Sequence, residues 1–562
     1  MKRIIFWLTL SLALTVSLQA QTFRWVDTFG SGNVDGATGV CADSSGNVYV
    51  TGYFEDTVDF DPGQGIFNLT SLGSSDVFIQ KLDSIGNLIW ANSFGGPGSN
   101  SGQAVALAPN GDIYTVGYFR DSIDVDPGPG TFILYSNGWD DIFIQKSDND
   151  GNFLWAKSIG GSDDDLPYGL FVDDQGNIYV TGTFFGSVDF DPGSGNSFLT
   201  SNGFGDIFVL KLDSTGNFVW AENFGDSHTD VGNAIKVDNF GNIYVTGYFY
   251  DNVNFDPNGT YFLNSAGGSD VFVLKLDSTG HLVWANAFGG SSDDKAMDLD
   301  LDSLGNVYVA GNFKETIDAD PGTGTYTLTS SGSRDIFIQK SDNNGNFVWA
   351  KSIGGSSSDS AFSISIDNQN NVYMTGYFND TVDFDPGNGT ANLTSSGDED
   401  IFILKTESNG NFVWAQSFGG PFIDESNRIF VDAQQNIYTT GVYSLNVDFD
   451  PGPGVSYHYS AGNIDGFVQK MGPDSVGINQ NTLVKKIKVY PNPVNDLLYI
   501  ETGKIYRYCN INIIGVTGKS IRTYTFKSKN TYKVPVSHLP AGIYFVRLQS
   551  ENRQAVFKFI KN

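Results

Sequence analysis

The chain repeats itself. The phrase Asp43-Ser-Ser-Gly46-Asn47-Val48-Tyr49-Val50-Thr51-Gly52 returns with small changes, its tyrosine falling at Tyr49, Tyr114, Tyr179, Tyr244, Tyr308, Tyr373 and Tyr438, at spacings of 65, 65, 65, 64, 65 and 65 residues. A second phrase, Asp76-Val-Phe-Ile-Gln-Lys81, ends at Lys81, Lys146, Lys211, Lys275, Lys340, Lys405 and Lys470. A third, Trp-Ala-x-x-Phe/Ile-Gly, starts at Trp90, Trp155, Trp220, Trp284, Trp349 and Trp414. So regular a period marks a repeat architecture, in which each unit buries its apolar face only against its neighbours.

The third phrase closes six repeats, and its seventh copy sits at the opposite end, as Trp25-Val26-Asp27-Thr28-Phe29-Gly30, while the last repeat stops at Lys470-Met471. A linear solenoid has no use for a displaced fragment. A ring does, because the N-terminal strand can complete the last unit. The arithmetic therefore predicts an all-β fold: a seven-bladed β-propeller over residues 21–471, closed by its N-terminal strand. Composition agrees. Aromatic residues reach 14%, with 67 Gly and 18 Pro. Charged residues are only 17%, against about 25% in an average soluble protein. Large side chains mixed with turn formers favour short strands and tight turns over helix bundle, coiled coil or disorder.

Each repeat reads as four strands. In the fourth, residues 232–238 form the innermost strand, 239–242 a tight turn and 243–249 the second strand. A longer segment leads to a third strand at 270–275, and Asp277-Ser-Thr-Gly280 turns into the outer strand. In these hairpins Gly supplies the positive φ while Asp or Asn bonds its own backbone. The recurrent Trp, Tyr and Phe are expected to fill the space between neighbouring blades. The region from 22 to 471 resembles the bacterial β-propeller repeats of the SBBP type, in which a Gly-Asn-x-Tyr-x-Thr-Gly strand alternates with a Trp-Ala-x-x-x-Gly-Gly ending. Members of such families are mostly surface or secreted proteins without an assigned reaction, so the resemblance implies a fold and not a ligand.

Both ends differ from the repeats. Lys2 and Arg3 precede an apolar run over residues 4–16, followed by Ser17-Leu18-Gln19-Ala20. This pattern is that of a secretory signal peptide, 1–20, too short to span a bilayer comfortably. No other segment approaches a transmembrane length. Residues 472–485 read as a linker. Residues 486–562 hold 13 basic and 3 acidic residues, whereas residues 21–484 carry a net charge of −44. The basic tail contains Val489-Tyr490-Pro491-Asn492-Pro493-Val494, Gly515-Val-Thr-Gly518-Lys519, Leu539-Pro-Ala-Gly542-Ile-Tyr-Phe-Val546 and a basic last strand ending Lys561-Asn562. These phrases resemble the type A C-terminal sorting domain of the type IX, or Por, secretion system of Bacteroidota. The resemblance implies a small β-sandwich that the outer-membrane translocon reads and that is usually removed as the cargo is attached or released. The residues alone predict seven short strands.

Whole-chain charge is −31 with pI near 4.2, which excludes a nucleic-acid or anionic-membrane partner, since phosphate binding needs a basic surface. Cys41 and Cys509 build no disulfide framework. Cys41 is expected as a small buried residue of an inner strand. Catalysis needs particular groups once, so it breaks repeat symmetry. His228, His281 and His458 occupy different repeat positions, of which His281 replaces a turn Asn and His228 lies in an inter-strand loop. No Asp-x-Asp-x-Asp-Gly calcium loop occurs. The acidic candidates are the Asp-Pro residues after each second strand, Asp61, Asp126, Asp191, Asp256, Asp320, Asp385 and Asp450, with Asp59, Asp124, Asp189, Asn254, Asp318, Asp383 and Asp448 two residues earlier. Residues i and i+2 of an extended segment face the same way, so each pair except the one with Asn254 presents two carboxyl groups together, and the set forms an acidic rim. Two readings follow: hard-cation sites, Ca²⁺ above all, or aspartates that cap a Pro-Gly turn. No cofactor is required. The expected function is a non-enzymatic binding or adhesion scaffold for an extracellular glycan or protein. An extracellular glycan- or peptide-cleaving enzyme and a purely structural surface protein are the alternatives.

Overall fold

The computed structural model describes residues 21–63, 65–473, 487–515, 520–550 and 553–562. The expected signal peptide, 1–20, and linker residues 474–485 lie outside the described residues. The chain divides into two compact units, Met1–Pro473 and Asp474–Asn562. Among the described residues every regular element is a strand, and no helix is long and apolar enough to cross a membrane.

In the first unit each of the first six repeats gives an antiparallel sheet built on four of its own strands. The fourth repeat supplies Val231–Val237, Ile243–Phe249, Asp270–Leu276 and Leu282–Gly290, paired in that order. The hairpins form as their sequence dictates. Asp238 accepts hydrogen bonds from the N–H groups of Phe240 and Asn242, both at 2.9 Å, while Gly241 adopts φ +81°. Asn370 and Gln435 hold the same left-handed position, each at φ 63°.

The sheet of the last repeat contains Glu425–Val431, Ile437–Tyr443 and Asp465–Pro473, and its fourth strand is Gln21–Phe29. The pairing is antiparallel and runs from Gln21 opposite Pro473 to Phe29 opposite Gly466. Gly472 and Pro473, assigned to the linker on sequence, thus belong to this strand, because the N-terminal strand gives them a partner.

Neighbouring sheets are fastened by one recurring device. Tyr244 is fully buried, Lys275 Nζ lies 4.8 Å from the centre of its ring, and Lys275 donates to the Asn343 carbonyl of the next repeat at 3.1 Å. Trp284 Nε1 donates to the same carbonyl at 3.3 Å. The aromatic residues expected between blades are therefore there, joined to a lysine that also satisfies a turn carbonyl. Trp25 and Lys470, from strands paired in the last sheet, both reach the carbonyl of Ser84 in the first repeat, at 3.4 and 3.0 Å.

The long segment between second and third strands, expected as a connection, is itself a β-hairpin. In the fourth repeat Asn252–Asn254 pairs with Phe262–Asn264. In the second repeat the hairpin is continuous with its neighbours, giving Ile113–Asp124 and Ile133–Ser147.

The second unit also departs from expectation. Its described strands are five, Lys488–Tyr490, Leu497–Gly515, Ser520–Pro535, Gly542–Ser550 and Arg553–Lys561, joined in one sheet. Two are long because the pairing continues through a register shift between Glu501 and Tyr506. Alternation places Ile511, Ile513, Val534, Val546 and Phe559 in its core, together with Cys509.

Candidate functional site

Each rim aspartate caps its turn. Asp59 Oδ1 accepts from the backbone N–H of Asp61 at 3.1 Å and of Phe67 at 2.7 Å, and Asp61 Oδ1 accepts from Gly63 at 2.8 Å. The first pair of bonds recurs at Asp124, Asp189, Asp318, Asp383 and Asp448. The second recurs at Asp126, Asp191, Asp256, Asp320, Asp385 and Asp450. Asn254 makes the first pair through its own Oδ1, at 3.2 Å to Asp256 and 2.8 Å to Tyr261. These two bonds need an oxygen acceptor and no charge. A Cβ at Gly65 would stand 1.9 Å from the Asp61 carboxylate, which explains the second glycine of the turn.

A second set of carboxylates, not singled out on sequence, is buried. Asp294 accepts from Gly290 at 2.8 Å and from Lys314 at 3.0 Å, tying the start of an inner strand to the end of the second strand. Burial pushes its carboxyl up to about 7, and likewise those of Asp165, Asp230 and Asp424. Asp27, on the N-terminal strand, accepts from Gln80 at 2.7 Å and is pushed up to about 8, chiefly by burial. These are fixed points of the fold.

The histidines fall as follows. His281 sits in its hairpin, its N–H on Asp277 at 3.1 Å. His458 is half-buried, 3.0 Å from Thr28 Oγ1. His228 lies 3.4 Å from Asp226 and 3.3 Å from Asp251, and among the described residues these three form the one group close enough to share a metal ion. His228 and Asp251 are exposed, and Asp226 is committed to the His228 N–H of its own turn.

Repeat symmetry breaks most sharply along the inner strands. The inner-strand residue opposite the position two after the repeat tyrosine is Gly39, Ala104, Gly169 or Ala234 in the first four repeats, but Asp298, Ser363 and Arg428 in the last three. Two residues on, Lys236 and Asp300 stand where the other five repeats carry Cys41, Ala106, Phe171, Ser365 and Phe430. These side chains meet in a cavity of about 480 Å³ that all seven inner strands border. Arg428 donates to the Tyr168 carbonyl at 3.1 Å and lies 3.4 Å from Asp298. Asp298 also accepts from Ser363 Oγ at 2.7 Å. Lys236 Nζ is 3.3 Å from Asp300, whose second oxygen accepts from the Ile366 N–H at 2.8 Å. Cys41, expected to be buried, is only half-buried because its strand faces this cavity. The signal was present in the sequence: these charges occur at positions that are small or apolar in most other repeats.

Each of these two ion pairs is internally neutral and offers polar contacts to a ligand. The Lys236–Asp300 pair also floors a second cavity, of about 430 Å³, opening toward the hairpins of the fourth and fifth repeats. Those hairpins lie at the opposite end of the sheets from the acidic rim, since the strands are antiparallel.

Comparison with known proteins agrees with the two-unit division. Residues 488–562 match the secretion system C-terminal sorting domain family, and residues 154–183 and 219–248 match the beta-propeller repeat family SBBP. Such a tail marks a protein for type IX export to the cell surface or the medium. The chain is 26% identical over 438 residues to an uncharacterized WD repeat-containing protein, L264, of Acanthamoeba polyphaga mimivirus, covering 64% of this chain and 31% of that protein. It is 27% identical over 173 residues to the regulatory protein FlaEY of Caulobacter vibrioides, covering 30% of this chain and 18% of that protein. The chain therefore spans less than a third of either relative.

Proposed function

We propose that this chain is a non-enzymatic binding scaffold, attached to the cell surface or released, in which seven blades form a ring closed by the N-terminal strand. The mutual pairing of Lys236 with Asp300 and of Arg428 with Asp298 supports binding over catalysis, because the groups that break repeat symmetry are already engaged with one another. The pairing of Gln21–Phe29 with Asp465–Pro473 and the seven-strand border of the cavity support the ring. The sorting tail supplies the route. Removal of residues 488–562 is expected to leave the protein inside the outer membrane. Undiminished surface display of the shortened chain, followed by protease shaving of intact cells, would overturn the assignment of export to this tail. Release of new ends from any polysaccharide or peptide substrate would overturn the scaffold reading.

A further inference from the structure

The fourth and fifth repeats depart from the others at one more place. Their first hairpins carry Phe240 and Leu304 at the tip, where the remaining five carry Ser45, Asn110, Gln175, Gln369 and Gln434. Neither side chain is used for packing, since Phe240 is 89% and Leu304 72% exposed. The two tips flank the 430 Å³ cavity, which shares Phe171, Lys236 and Asp300 with the larger cavity beside it. Four departures from symmetry, at Lys236, Phe240, Asp300 and Leu304, thus converge on one groove between two adjacent repeats. Apolar side chains left in water beside a concave polar floor mark a binding site.

We propose that this groove binds the neutral hexopyranose end of a glycan, with Phe240 against the apolar face of the sugar ring and Asp300, Lys236 and Asn239 reaching its hydroxyl groups. The inference deepens the scaffold reading and rests on it. Three features select this ligand. The Lys236–Asp300 distance of 3.3 Å makes the floor an ion pair, rich in donors and acceptors yet offering no net charge. The net charge of −44 over residues 21–484 repels a polyanion. The groove has an apolar edge and a polar floor, as a pyranose has an apolar face and a rim of hydroxyls, whereas an acyl chain has no use for the floor and a free ion none for Phe240.

The test is calorimetric titration of the exported protein with maltohexaose, cellohexaose and mannohexaose, with polygalacturonate as the anionic comparison. Saturable binding of at least one neutral oligosaccharide is expected, unchanged by added salt and weakened about tenfold or more by Phe240→Ala. Gln175→Ala, at the same hairpin position of the third repeat, should leave binding unchanged. Phe240 contributes little to packing, so its variant is expected to melt as the parent does. Absence of binding by all three sugars, preference for polygalacturonate, or affinity untouched by Phe240→Ala each overturns the groove. That last outcome leaves the scaffold reading standing, whereas sugar binding accompanied by new reducing ends overturns the scaffold reading and leaves the groove.

Discussion

Asn254 is the informative exception among the rim aspartates, because it makes the same two backbone bonds without a charge. Asp59→Asn is accordingly expected to leave the melting temperature unchanged, while Asp59→Ala, which strands two N–H groups, costs about 1 kcal/mol. Differential scanning calorimetry with and without millimolar Ca²⁺ checks this. A calcium-dependent stabilisation that Asp59→Asn abolishes would make the rim a metal site instead. Gln435 is a second exception, holding φ 63° where five other first hairpins place glycine. A side chain with a Cβ pays for that conformation, so Gln435→Gly should stabilise the protein by about 0.5–1 kcal/mol, read from urea denaturation midpoints. A fall in the midpoint would show that the glutamine side chain makes a compensating contact.

The most consequential element is Gln21–Phe29, because it is the only strand of its sheet supplied from the other end of the first unit. Deleting residues 21–30 removes the partner of Asp465–Pro473 and exposes a full sheet edge. Aggregation or a marked loss in melting temperature is expected. A shortened protein that stays monomeric and melts unchanged would exclude closure by this strand. This element was legible in the sequence, since Trp25 to Gly30 completes a phrase missing after Met471. The hairpin of Asn252–Asn254 with Phe262–Asn264 was not legible, because three-residue strands between turn formers leave no period to detect. The long tail strands were missed for the converse reason, that a register irregularity carried pairing across Gly503.

At the scale of the molecule, acidity is divided between surface and interior, and the interior part sets the pH response. Burial raises Asp27 to about 8, Asp270 to about 7 and Asp76, Asp141 and Asp206 to about 6, from an ordinary value of 3.8. The folded state then holds protons that the unfolded chain has released, so their stabilising contribution is complete below about pH 4 and is lost as pH rises through 6 to 8. His458, lowered by burial, opposes this trend but is outnumbered. The melting temperature is expected to be several degrees higher at pH 5 than at pH 8. The reverse order would mean that these carboxylates are ionised and compensated in the fold. Neither this buried set nor the groove at Lys236 and Asp300 was picked out from sequence. Repeat-wide aspartates look alike whether they cap a turn in water or sit in the core, and only the pairing register shows which inner-strand positions face one cavity.

The pairing of Gln21–Phe29 with Asp465–Pro473 also fixes an order of events. Hairpins within a repeat join residues that are made together, whereas the first strand to emerge must wait for the last strand of its unit. Closing that loop instead of a single repeat costs about 1.7 kcal/mol more in chain entropy, since the penalty grows only as the logarithm of loop length. The cost is small and the delay is not, because high contact order slows folding. Until the two ends meet, the last sheet offers an open edge of the same sequence type that every other repeat has already filled. A strand from a second copy fits that edge as well as the chain's own, so dilute refolding should yield monomers and concentrated refolding exchanged pairs.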